Sequence, residues 1–130
     1  MYQSGELMDY FTIKLFHLVG MMMVFLGLGG MVFAAYAGFG PEKKKLRRAA
    51  ALLHGIGLLF LLASGIAMLG NLGLLHGDPP GWAKAKFFIF LVLGGSISLA
   101  ARCSQWIWIL LLSWVLLAAA AGYLALYKPF

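Results

Sequence analysis

Pro41-Glu42-Lys43-Lys44-Lys45-Leu46-Arg47-Arg48 stands between two long apolar runs, and its reading decides how the rest of the chain is laid out. Five of the ten Lys and Arg residues fall in it. Basic residues concentrated in a short connection between apolar spans mark the cytoplasmic face of a membrane protein. A basic cluster also raises nucleic acid as a partner, but no aromatic stacking platform or groove-reading helix accompanies this one, so nucleic-acid binding is not expected. Attraction of Lys43, Lys44, Lys45, Arg47 and Arg48 to the anionic headgroups of the lipid bilayer is expected.

Across the whole chain, 63% of the residues are hydrophobic and 11% are charged. With a mean hydropathy of +0.94, the chain is too apolar to hide its surface in a soluble core of 130 residues. One membrane domain, residues 1–130, is expected. The single cysteine, Cys103, excludes an internal disulfide and any multi-cysteine motif, and reads as a small apolar side chain at a helix end.

The apolar runs predict four spans, at about residues 11–38, 49–70, 82–101 and 106–127, with 41–48 as a cytoplasmic basic turn. Ala35-Tyr36-Ala37 resembles a signal-peptide cleavage site, but the run before it is too long and its leading segment is acidic, so a span is expected instead. Asn71–Gly81 carries the Gly, Pro and Asp chemistry of an exposed loop, and Arg102–Gln105 reads as a tight polar turn. Four spans place both termini on one side of the membrane. Lys43, Lys44, Lys45, Arg47, Arg48 and Arg102 then face Lys14, Lys84, Lys86 and Lys128 across it, which makes the termini non-cytoplasmic.

In lipid, helices approach closely where small residues line the contact. Gly20, Gly27, Ala34 and Gly38 supply such a seam in the first span, and Gly57, Ser64 and Gly65 in the second. Gly94, Ser98 and Ala101 supply it in the third, and Ala118, Gly122 and Ala125 in the fourth. The expected fold is all-α, an integral membrane antiparallel four-helix bundle.

Ionisable residues within spans are candidates for function. His17 shares the Gly20 seam, with Lys14 one turn away. Lys84 and Lys86 point about 200° apart around their helix, so Lys86 is expected to face inward toward His17 while Lys84 reaches to headgroups. His54, on the Gly57 and Ser64 side, should lie about 13 Å from His17 along the membrane normal, too far for both to ligate one metal. Satisfied bundle histidines are the simpler reading, His76 reads as a solvated loop residue, and no metal site is expected. No Asp or Glu falls inside a span, which weighs against proton-coupled export, and no hydrolase or phosphate-loop motif is present.

Three stretches carry a family resemblance: Lys14-Leu15-Phe16-His17, the run Gly57–Gly65 with Ala63-Ser64-Gly65-Ile66 at its end, and Gly81-Trp82-Ala83-Lys84-Ala85-Lys86. Over residues 12–100 the layout resembles the SirB-like and HemJ-like families of small bacterial membrane proteins. The SirB-like resemblance implies fold alone. The HemJ-like one implies protoporphyrinogen oxidation, with His17 and Lys86 at the positions of a first-helix histidine and a third-helix lysine.

The expected function is that of a small multi-pass protein of a bacterial-type inner membrane, a structural or accessory element in an assembly with other membrane subunits or with itself. It is expected to have no catalytic residues and no cofactor. The alternative is a haem- or porphyrin-handling redox protein using His17 and Lys86. A passive pore is a third class, weakened because Ser64 and Ser96 are the main polar residues near mid-membrane.

Overall fold

The protein is described by a computed structural model covering residues 4–36, 40–102 and 104–130, with only the backbone described at 4–8 and 104. Four helices account for most of it: α1 (Ser4–Tyr36), α2 (Pro41–Asn71), α3 (Gly81–Arg102) and α4 (Ile107–Tyr127), with a single 3-10 turn at Ser104–Trp106 before α4. Each contains a segment long and apolar enough to cross a membrane: Asp9–Tyr36, Pro41–Asn71, Gly81–Arg102 and Ile107–Tyr127. There is no strand among the described residues. Ala37, Gly38 and Cys103, read above as part of a cleavage-like motif, a seam and a helix end, lie outside the described residues.

The expected basic turn at 41–48 is helical, and this corrects the sequence reading. Pro41 occupies the start of α2, where its fixed φ suits a helix and its missing N–H has no partner to lose. Glu42 in the first turn complements the helix dipole, and the Lys, Leu and Arg that follow are good helix formers. Gly40 makes the entry, at φ 143°, a backbone conformation that other residues rarely adopt. The first helix runs from Ser4, and the candidate span within it, Asp9–Tyr36, opens two residues before the expected Phe11.

At its other end α2 stops on a Schellman motif. Gly73 takes φ 69°, its N–H bonds the Gly70 carbonyl at 3.0 Å, and the Leu74 N–H bonds the Leu69 carbonyl at 2.9 Å. The exposed loop that follows runs to Pro80, whose carbonyl receives the Ala83 and Lys84 N–H groups at 3.0 and 3.2 Å and so opens α3.

The tightest contact in the molecule is between α1 and α2. Residues 20, 24, 27, 31 and 34 of α1 are buried, and so are 50, 54, 57, 61 and 64 of α2. Both sets step by four and three, the heptad spacing that keeps one stripe facing a partner helix. The helices run antiparallel, since Gly20 meets Gly57 and Phe60 whereas Gly27 meets Ala50 and His54. A methyl group placed on Gly27 would come within 2.6 Å of the His54 Cβ and 2.8 Å of the Ala50 carbonyl. One on Gly57 would sit 2.8 Å from the Gly20 carbonyl. These backbones touch because no side chain stands between them.

Around this hairpin α3 packs against α1, less closely against α2, and α4 packs on α3, giving a bundle-like arrangement. Here the expected small-residue seams take part only at single positions: Leu58 lies 3.6 Å from where a Gly94 side chain would project, and Ala101 packs against the core. In α3 the buried stripe is Ile89, Leu93, Ser96 and Ala100, whereas Ser98 is exposed. In α4 the buried residues are Ile107, Trp114 and Leu124, whereas Ala125 is exposed and nothing lies within 4 Å of where a Gly122 side chain would project. Large side chains fill the wider gaps between these helices, so close backbone approach is confined to α1 and α2.

Candidate functional site

The polar groups of the helices fall into two sets on the α1–α2 seam and one cluster of basic residues at each end. On the seam, the Ser64 hydroxyl donates to the Phe60 carbonyl one turn back and lies 3.3 Å from that of Leu61. With its proton committed, its oxygen accepts from His17, whose Nδ1 lies 2.8 Å away on α1. His17 therefore carries its proton on Nδ1 and ties α1 to α2. His54 does the same in the opposite direction, its Nδ1–H donating to the Val24 carbonyl at 3.1 Å.

The two histidines are not brought together. His17 is level with Ser64 and His54 with Val24, and those positions are separated by seven residues on α1 and ten on α2, about 10–15 Å of rise. They cannot share a metal. No group of three or more His, Cys, Asp or Glu side chains suited to a metal ion occurs among the described residues. His54 is 2% exposed, and its Nε2 is buried with no hydrogen-bond partner, as is the Trp114 Nε1 of α4.

At the end of the bundle away from the basic stretch, Lys86 is half-buried and Lys84 exposed. Lys86 lies within electrostatic reach of His17 and of Lys128, with no hydrogen bond to His17. Lys84 does not stand alone at the surface: it pairs with Asp78 of the preceding loop at 2.7 Å. Lys14 and His76 are exposed. A feature without a sequence signal is the return of the C-terminal residues onto α3. The Phe130 carbonyl accepts the Trp82 N–H at 2.9 Å, and the Lys128 ammonium sits 5.4 Å from the centre of the Trp82 ring.

At the opposite end, helical register sorts the five cations of the basic stretch. Lys43 and Arg47 line a notch of about 90 Å³ together with Met31 and Ala35 of α1 and Ala101 of α3. Lys44, Lys45 and Arg48 line a more open hollow with Ala49 and Leu52.

No family model, curated protein or solved structure matches the chain.

Proposed function

We propose that the protein is a non-catalytic structural or accessory element of a membrane assembly or homo-oligomer, spanning a bacterial-type inner membrane four times with both termini on the non-cytoplasmic side. The observation that carries this reading is where the interior polar groups spend their hydrogen bonds. His17 and His54 join α1 to α2, and Ser64, Ser96 and Ser113 bond carbonyls of their own helices. The histidines serve helix association and the serines satisfy their own hydroxyls within a helix, leaving little reactive machinery in the seam. The contact of Gly20 with Gly57 also separates the two histidines with close-packed backbone, which speaks against a polar path through the hairpin.

Size measurement in nanodiscs by light scattering, with site-directed crosslinking along α4, tests the proposal. A defined oligomer with crosslinks on the exposed α4 face is expected. A strict monomer that co-purifies with no other membrane subunit would overturn it.

The proximity of half-buried Lys86 to His17 favours a second reading, in which a porphyrin carboxylate lies on Lys86 and the ring against His17. A haem does not fit His54, because its Nε2 is fully enclosed and Gly27 is packed onto its Cβ. An absorbance scan decides. A Soret band lost in His17→Ala supports this reading, and a preparation left colourless by added haem removes it.

A further inference from the structure

We propose that Lys86 of α3 and Lys128, which follows α4, together hold the phosphate of an anionic phospholipid at the end of the bundle away from the basic stretch. This goes beyond both readings above and depends only on the chain residing in a bilayer.

The pair is assembled from segments distant in sequence. Residues 82, 86, 89 and 93 step by four and three, so Trp82 and Lys86 share the face of α3 that carries the buried Ile89 and Leu93. Lys128 sits with its ammonium 5.4 Å from the centre of the Trp82 ring, and it lies within electrostatic reach of Lys86. Lys86 in turn lies within reach of His17, whose Nδ1–H is committed to Ser64.

Charge balance then calls for an anion. Neither the Lys86 nor the Lys128 ammonium has a hydrogen-bond or ion-pair partner among the described residues. Of the four acids, Glu42 lies at the opposite end and Asp78 is paired with Lys84. Asp9 and Glu6 stand eight and eleven residues before His17 on α1, about 12 and 16 Å of rise away. Like charges held together repel, and Lys128 reaches this place only through its left-handed φ of 43°. An oxyanion between the two ammonium groups accounts for both.

Depth selects a lipid as the source of the phosphate. Lys86 is five residues beyond Gly81, about 7–8 Å along α3, with apolar sequence from Phe87 onward. A half-buried lysine at that level lays its stem along apolar surface and sends its ammonium toward headgroups. Next to His17 and Lys86 in sequence, Leu15, Phe16, Phe87 and Phe88 expose their side chains. A phosphate held by Lys86 and Lys128 would leave its acyl chains along such surface, whereas a free anion would gain nothing from it.

Lysine footprinting with an amine-reactive acylating reagent tests the site residue by residue, in phosphatidylcholine nanodiscs with and without phosphatidylglycerol. Phosphatidylglycerol should slow acylation of Lys86 and Lys128 about fivefold or more, and should leave Lys14, an exposed lysine of the same end, nearly unchanged. Because one phosphate bridges the pair, Lys86→Gln should abolish the protection of Lys128 and Lys128→Gln that of Lys86, whereas Lys86→Arg should preserve the protection of Lys128. The parent protein alone decides the matter if a variant fails to keep its melting temperature. Equal slowing at Lys14, Lys86 and Lys128 would reduce the effect to general surface charge and overturn the proposal. So would the same protection from millimolar inorganic phosphate without phosphatidylglycerol, or protection by a porphyrin dicarboxylate and not by the lipid, which would assign Lys86 to the porphyrin reading.

Discussion

Gly27 has no room for a methyl group, and the same holds for Gly57. Alanine at either position must push α1 and α2 apart against fixed backbone, an overpacking cost of about 1–3 kcal/mol. Gly29 and Gly55 have nothing within 4 Å of a projected side chain, and alanine there removes only the unfavourable helix propensity of glycine. Unfolding titrations in mixed micelles should therefore show Gly27→Ala and Gly57→Ala destabilised, with Gly29→Ala and Gly55→Ala at least as stable as the parent. The bond from His17 to Ser64 is expected to contribute more modestly. A double-mutant cycle of His17→Ala with Ser64→Ala should give a coupling of about 0.6 kcal/mol, and no more than about 1.7. His17 and Ser64 were both candidates in the sequence, on the seams of separate helices. That they meet depended on the register of α1 against α2, which no local pattern specifies.

Among the elements, α3 has an exposed weakness at its start, because a helix leaves its first N–H groups without partners. The Ala83 and Lys84 N–H groups find the Pro80 carbonyl, and the Trp82 N–H finds Phe130 from beyond the end of α4. Lys128 makes the return by adopting φ 43°, a left-handed conformation that costs a non-glycine residue about 1–2 kcal/mol. Its position over the Trp82 ring offsets part of that cost. Removal of residues 128–130 should consequently speed hydrogen exchange at the Trp82 amide while leaving protection in the middle of α3 unchanged. Equal exchange with and without the tail would show that the contact has no role in holding α3. The basic stretch makes a related point. Its composition was compatible with a turn or a helix, and Pro41 at the first helical position with Gly40 before it favours the helix.

For the whole molecule, the distribution of basic residues argues that the termini share one side and the start of α2 lies on the other. Since Cys103 is the only cysteine, a Cys103→Ser background supports single-cysteine probes. Gln3→Cys and Lys128→Cys should react with a membrane-impermeant maleimide added to intact cells, and Lys44→Cys should react only after lysis. The reverse pattern would invert the topology. The helices also differ in how firmly they are held. α1 and α2 interlock through their backbones, whereas α4 buries only Ile107, Trp114 and Leu124 and leaves Trp108 79% exposed. Under the proposed assembly role, such a helix is the one that a neighbouring subunit would cover.

The amino-acid sequence alone determined that the chain forms four long apolar helices, because hydropathy and length are local sums that lipid or water reads directly. It also placed Gly20 and Gly27 on one face of the first span and Gly57 on a face of the second. Only the tertiary structure decided that α3 buries Ile89, Leu93, Ser96 and Ala100 and that α4 buries Ile107, Trp114 and Leu124, faces other than the expected seams. It also decided that Lys43 and Arg47 share a notch from which Lys44 and Lys45 are turned away. The physical reason is the same in both cases. A helix sequence shows which residues share a face, but which face meets a neighbour depends on the volume left by the other helices, a property of the packed chain.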